Sequence, residues 1–198
     1  MTIDQQVADH YARDGLEDAI FEALRASGRD PERLAPADLA AVDEFHLGWR
    51  AQTVEFAKTL GLEPGMRLLD VGAGIGGPAR YFAEAYGCDV VGVDLSADYV
   101  RCANALTRRC GLADRVAFKE ASAVSLPFED GSFDVATLIH VGMNIPDKKR
   151  LFSDMRRVLR PDAPLGVYDV MRTGDGDLAY PVPWARSADT SFVERPES

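Results

Sequence analysis

Two hydrophobic rhythms divide the chain near residue 62. Before that point apolar residues recur at helical intervals. Leu16, Ile20 and Leu24 stand four apart, and Val54, Phe56, Ala57 and Leu60 fall within LAAVDEFHLGWRAQTVEFAKTLGL. These stretches read as amphipathic helices, broken near Gly28–Pro31 and at Pro36 and stopped at Gly61. No segment ahead of MRLLDVG has the character of a β-strand.

Beyond residue 62 short apolar runs alternate with helical stretches. RLLDVG (67–72) reads as a buried strand, and GPARYFAEAYG (77–87) as a helix with Pro78 in its first turn and Gly87 at its C-terminal cap. DVVGVDL (89–95) is a second strand, after which Ser96 can cap a helix running to about Cys110. RVAFKEA (115–121) and FDVATLIHV (133–141) follow as strands three and four, separated by the turn-rich SLPFEDGS. A last helix places Leu151, Phe152, Met155, Val158 and Leu159 on one face and stops at Pro161, before strand five, LGVYDV (165–170). Strands alternating with helices predict an α/β fold with a doubly wound parallel sheet, residues 63–198, preceded by a helical extension, residues 1–62.

The junction of the first strand and its helix carries four glycines in the six residues GAGIGG (72–77). A doubly wound sheet uses bare backbone at this point to let a ligand approach. Gly72, Gly74 and Gly77 satisfy the dinucleotide spacing, and Asp94 lies 22 residues beyond Gly72, where a ribose-binding acid is expected. Spacing alone leaves NAD and other ribosylated ligands open. Three features separate them. Gly76 adds a G-x-G-x-G pattern, and Asp70 sets a carboxylate at the end of strand one, which suits an ammonium better than a pyrophosphate. A long helical segment precedes the glycine strand, and SLPFEDGSFDVATLIHV supplies a proline-containing loop and fourth strand.

Through DEFHLGW, LLDVGAGIGGPAR, VVGVDLS, SLPFEDGSFDVATLIHVGMNIPDK, MRRVLRP and YPVPWA, spread over residues 43–195, the chain resembles class I S-adenosylmethionine-dependent methyltransferases of the type 11 domain group. DEFH, HVGMNIPDK and PVPWA are most similar to the sarcosine/dimethylglycine methyltransferase branch. The resemblance implies a Rossmann-like sheet, an S-adenosylmethionine cofactor and a small-molecule methyl acceptor. It implies that Gly72, Gly74 and Gly76 cradle the methionine moiety, that Asp70 faces its ammonium, and that Asp94 accepts from both ribose hydroxyls with Leu95 against the adenine. Ser122 stands where the family often has an acid for the adenine amino group, with Ala123 contributing backbone, and His140 lines the cofactor's amino-acid end. The resembled fold has seven strands. Only 28 residues follow LGVYDV, so the last two strands are expected to be missing and strand five to form an edge that a second copy could complete.

Methyl transfer is an in-line displacement at a carbon activated by its sulfonium, so alignment and a dry pocket matter most. An amine acceptor must arrive deprotonated, and a hydroxyl requires a base. His46 and His140 are the candidate catalytic residues, and Asn144 and Trp184 the candidate acceptor contacts, Trp184 through its π face to a cationic amine. Tyr168 and Asp169 close strand five nearby, His10 is expected on the surface, and Met143 in the packing.

Composition narrows the partners. Twenty-two basic against 32 acidic residues leave a net charge of -10 with no basic cluster larger than KKR (148–150), which disfavours nucleic acid. Cys88, Cys102 and Cys110 lack metal or disulfide spacing and read as reduced thiols, and no metal site is expected. The first twenty residues show no signal peptide and no stretch is apolar enough to span a bilayer, so a cytoplasmic, membrane-free protein is expected. The sequence thus predicts an enzyme, a methyltransferase acting on a small molecule, an amine by preference. Its rivals are a catalytically incompetent cofactor-binding fragment or partner subunit and, less favoured, an NAD-dependent oxidoreductase.

Overall fold

In the computed structural model residues 2–11 and 15–196 are described. Four helices come first: α1 (Ile3–Tyr11), α2 (Leu16–Ala26), the single turn α3 (Pro36–Leu39) and α4 (Trp49–Lys58). Then strands and helices alternate as β1 (Arg67–Val71), α5 (Gly77–Tyr86), β2 (Asp89–Asp94), α6 (Ala97–Arg109), β3 (Val116–Glu120), β4 (Val135–Ile139), α7 (Lys148–Val158) and β5 (Leu165–Tyr168). The sheet order is β3-β2-β1-β4-β5, and every pairing is parallel.

A parallel sheet is covered on both faces, which is why its central strands are apolar at consecutive positions. All five residues of β4 are buried. On one face Leu68, Val90, Val116, Phe118 and Val135 meet Ala57 and Leu60 of the α4 segment, Phe82 and Ala83 of α5, and Ala103 of α6. On the other, Leu69, Val71, Val93, Ala136 and Leu138 meet Leu151, Met155 and Val158 of α7. The extension packs through Ile20, Phe21 and Leu24 of α2, with Leu34 and Leu39, on Tyr99, Cys102 and Leu106 of α6. The caps fall where the sequence puts them. Ser96 Oγ accepts from the Tyr99 amide, and Gly87 closes α5 in the left-handed region, its N–H on the Ala83 carbonyl.

Three expectations need correction. The helical reading of residues 39–62 fails between Ala40 and Gly48, because Asp43, Glu44 and His46 turn inward into a buried polar network and Gly48 takes φ +80° ahead of α4. Phe152 does not share the buried face of α7 and is 39% exposed, since a residue adjacent to buried Leu151 lies about 100° around the helix. Strands three, four and five are each two to four residues shorter than their apolar runs. Among the described residues the sheet ends at β5, and beyond it lie only a Val182–Ala185 bridge and a short turn of 3-10 helix at Ala188–Thr190. Asp162 holds φ +61° in the turn before β5, the conformation a glycine would supply, and Asp is among the few residues that tolerate it.

The extension is tied to the glycine turn by one fully buried guanidinium. Arg80 of α5 donates to Asp43 Oδ2 at 2.9 Å, to the Ile75 carbonyl at 2.7 Å, to Thr107 Oγ1 at 3.1 Å and to the Ala103 carbonyl at 3.3 Å. Removing one partner of such a pair leaves the other desolvated and uncompensated. Arg80→Met is expected to cost about 3–5 kcal/mol in urea unfolding at neutral pH. Adding Asp43→Asn is expected to restore part of the loss by removing the stranded carboxylate.

Candidate functional site

A cavity of about 1070 Å³ opens at the carboxyl ends of β1, β2 and β4. Strand order reverses between β1 and β4, and ligands of open α/β sheets bind at such a switch point. The volume stands at the top of the roughly 300–1000 Å³ range of small-molecule sites. The glycine turn forms its floor, α1 covers it, and segment 43–49 with residues 183–186 forms its outer wall.

The four glycines divide between two tasks. A Cβ on Gly72 would lie 2.1 Å from Val141, on Gly76 2.4 Å from Phe118, and on Gly77 2.2 Å from the Asp43 carbonyl. Those three are bare to admit the protein's own atoms. Gly74 has φ +55° and nothing within 4 Å of its would-be Cβ, so it presents open backbone to the cavity. The wall takes in Gly72, Ala73, Gly74 and Ile75, and Gly76 lies behind it.

Two carboxylates flank this turn. Asp70 is 2% exposed; Thr137 donates to its Oδ1 at 2.8 Å, while its Oδ2 has no hydrogen-bond partner among the described residues. Burial pushes Asp70 up to about 7. A buried acceptor left open on a cavity suits a cationic donor such as an ammonium. Asp94 accepts from the Gly74 amide through Oδ2 and from the Ser96 amide through Oδ1, both at 2.9 Å, so it fixes the glycine turn to β2 and to the start of α6. Burial raises Asp94, and these backbone donors pull it back. Each oxygen keeps a second acceptor position for a ribose hydroxyl. The open backbone of Gly74, the free Asp70 oxygen and the placement of Asp94 fit an S-adenosyl group. Leu95 and Ala123 stand in the same wall, and the Ser122 hydroxyl donates to Asp4 Oδ2 of α1 at 3.0 Å, which keeps its lone pairs for another donor.

The same wall carries two imidazoles, His46 and His140, whose ring centres lie 5.9 Å apart. His140 holds φ +54° just past β4, with its amide on the Tyr168 carbonyl at 2.8 Å. A non-glycine residue kept in that region by the surrounding structure is a feature that clusters at functional sites. Burial, and next the charge of His46, push His140 down to about 4. His46 is buried, and Glu44 Oε2 lies 2.7 Å from its Nε2. Burial opposes its charge, but the Glu44 contact and the Leu47 carbonyl outweigh that and raise it.

Asn144 lines the cavity, yet its amide is spent inside the protein. Its Oδ1 accepts from Tyr11 at 3.0 Å, and its Nδ2 donates to the carbonyls of Trp184 and Thr190 at 2.9 and 2.8 Å. Trp184 donates its indole N–H to Ser191 Oγ at 3.0 Å and remains in the wall. Asp169 accepts from the Gly142 amide at 2.6 Å and so shapes the turn after β4, and Tyr168 donates to the Leu47 carbonyl at 3.2 Å. His10 is not a free surface residue: it is half-buried in the wall, 3.4 Å from the Pro183 carbonyl. The cover α1, with Val7 and Tyr11 facing inward, went unread as part of the site, although those two stand four apart. Glu44, Arg80 and Thr137 lie inside the motifs DEFHLGW, LLDVGAGIGGPAR and SLPFEDGSFDVATLIHVGMNIPDK, but no sign of the buried contacts that each of them makes is legible in the sequence. Among the described residues no group of three or more His, Cys, Asp or Glu is placed to hold a metal ion, and no helix is long and apolar enough to cross a membrane.

Residues 69–166 match the methyltransferase domain family. Methyltransferase GfsG of Streptomyces halstedii is 32% identical over 174 residues, 87% of this chain and 60% of that protein. The crystal structure of the [4+2]-cyclase SpnF superposes with a TM-score of 0.65 at 31% identity, covering 74% of this chain and 52% of the other. A Galdieria sulphuraria protein assigned as a sarcosine dimethylglycine methyltransferase superposes with a TM-score of 0.58 at 26% identity, covering 59% and 44%. Further solved neighbours hold S-adenosylmethionine. The chain spans between 31% and 60% of the length of the first curated relatives it matches. The dinucleotide reading of the glycine turn falls to these matches.

An Asp70 that ionises near pH 7 makes affinity for a cationic ligand depend on pH. The ligand's ammonium needs the carboxylate, so affinity rises as pH rises through about 7. S-adenosylhomocysteine is expected to bind roughly tenfold more tightly at pH 7.5 than at pH 5.5. Calorimetry with Asp70→Asn is expected to show weaker binding and a flat profile over that range.

Proposed function

The chain belongs to the class I S-adenosylmethionine-dependent methyltransferases, and from that membership we propose that it transfers a methyl group to a small-molecule acceptor, an amine with an apolar body. The observation that carries the reading is the pairing, in one cavity, of the open Gly74 turn with its two acids and a neutral imidazole.

S-adenosylmethionine supplies the activated methyl carbon. The chain's own residues do the rest. Asp70 and Asp94 orient the donor, and α1 excludes water from above. Asp70, Gly74 and Asp94 would hold that group, whose methyl carbon would pass to the acceptor's nitrogen lone pair with sulfur as the leaving atom, keeping the carbon–sulfur pair. The proton shed by the nitrogen leaves by way of a ring nitrogen of His140, which is neutral at physiological pH and, as a weak base, relays it onward to solvent rather than holding it. His140 serves as the catalytic base and His46 as its cationic neighbour, and the indole face of Trp184 lies against the acceptor.

The wall itself argues for the acceptor class. Phe45, Leu47 and Trp49 line its outer rim, while Asp4, Asp43, Asp70, Asp94 and Asp147 give it acid character. Arg186 is the one Lys or Arg in the wall among the described residues. A phosphate or carboxylate on the acceptor would meet repulsion with a single exposed cation in compensation, whereas an apolar body with a basic nitrogen meets neither penalty.

The test is incubation with methyl-labelled S-adenosylmethionine and a panel of apolar secondary amines, the matching alcohols, and glycine-derived amines. Label is expected in the apolar amines at a rate at least tenfold above the glycine-derived ones, and His140→Ala is expected to lose roughly a hundredfold. Preference for the alcohols would overturn the amine. Donor binding with no transfer to any acceptor would favour a cofactor-binding partner subunit instead.

A further inference from the structure

Glu44 stands inside the DEFH motif without a role that the motif assigns, and it is completely buried behind His46. Its Oε2 lies 2.7 Å from His46 Nε2 and accepts from Thr53 Oγ1 at 2.7 Å, while Arg50 Nε stands 2.6 Å from its Oε1, an ion contact without hydrogen-bond alignment. His46 Nδ1 lies 3.0 Å from the Leu47 carbonyl. Both ring nitrogens of His46 therefore face oxygens. The Glu44 carboxylate and the Leu47 carbonyl can only accept, and Thr53, 2.9 Å from Nε2, has turned its proton to Glu44. A neutral imidazole would leave one nitrogen lone pair against an acceptor. With Glu44 held ionised by the Arg50 guanidinium, the doubly protonated ring is the form that satisfies every contact.

The contrast with His140 is the point of interest. Its imidazole makes no hydrogen bond to any described residue, and its ring centre lies 5.9 Å from that of His46 and 5.2 Å from that of Tyr168. The charged and titratable groups around the pair come from four directions. Glu44 and Asp43 belong to segment 40–48, Arg50 to α4, Asp70 to β1 and Tyr168 to β5. Asp43 and Glu44 face Arg80 and Arg50, and once Asp70 ionises this third anion is matched by a third cation only when His46 carries its proton. Two like groups whose surroundings drive their proton affinities apart mark the acid and base of a site.

We propose that Glu44 is a positioning residue: it fixes His46 as an imidazolium beside His140 and thereby reserves the neutral His140 ring to accept the proton of the incoming nucleophile. The inference rests on the methyl-transfer reading for its purpose, but the charge states it assigns exist in the chain alone. Removing the Glu44 charge releases the His46 proton, and His140 then loses the cation that holds it unprotonated, so the two imidazoles converge.

The experiment is an isotope-edited NMR titration of the histidine rings in the wild-type chain, with no donor or acceptor present. His46 is expected as an imidazolium at pH 7 and His140 as a neutral ring at pH 5.5. In Glu44→Gln the His46 titration is expected to move down by at least one pH unit and that of His140 to move up, with Glu44→Asp restoring the wild-type order. A neutral His46 at pH 7 in the wild-type protein would overturn the proposal even if the variants failed to fold. Where methyl transfer is measurable, the acid limb of its kcat/KM profile is expected to shift toward neutral pH in Glu44→Gln. An unmoved limb would overturn the role assigned to Glu44 while leaving the methyl-transfer reading intact.

Discussion

The buried Arg80–Asp43 contact is the constraint on which the rest of the structure turns. A guanidinium without solvent exposure has to find its partners inside the protein, and Arg80 finds them in Asp43, in Ile75 of the glycine turn, and in α6. This links three things that the chain order keeps apart: the extension that carries Glu44 and His46, the turn that faces the ligand, and the helix behind it. Gly77 belongs to the same device, because only a residue without Cβ lets the Asp43 carbonyl come so close to the start of α5. The extension is thus part of the cavity's architecture, and its inward turn at Asp43–His46 supplies part of the wall.

The cavity brings together buried groups of different kinds. Beside the glycine turn stand two acids, one with an unsatisfied oxygen and one bonded to backbone amides. Its wall also holds two imidazoles in different environments and a rim of large apolar side chains. Phe45, Leu47 and Trp49 are each more than half exposed, which is costly to leave in water unless something apolar covers them in use. Methyl transfer asks for such an arrangement, because a sulfonium donor and a neutral nucleophile must meet away from water.

Much of this was legible in the sequence. The apolar runs of β1, β2 and β4 and the helical spacing of α5 to α7 follow from burial on both faces of a parallel sheet, and Ser96, Gly87 and the glycine turn mark their junctions by local chemistry alone. Asp70 and Asp94 were readable from their distance to that turn. What the sequence hides is pairing across distance. Nothing near Arg80 announces that its partner is Asp43, 37 positions earlier, or that Asn144 spends its amide on Tyr11, Trp184 and Thr190. The glycines carried a related ambiguity. Three of the four are bare to receive Val141, Phe118 and Asp43, and a sequence cannot distinguish room made for a ligand from room made for a side chain. The break in helix at 40–48 has one local mark, Gly48 in the left-handed region, but its buried ionic contacts are pairings that the sequence does not display.

The central claim is that the cavity at the carboxyl edge of β1 and β2 holds an S-adenosyl ligand between Asp70, Gly74 and Asp94. Calorimetric titration of the folded chain with S-adenosylhomocysteine, repeated with Asp94→Ala, addresses it directly. The account requires one ligand bound per wild-type chain and binding lost in the variant. A folded wild-type chain that takes up no ligand, or a variant that binds as tightly, would contradict it.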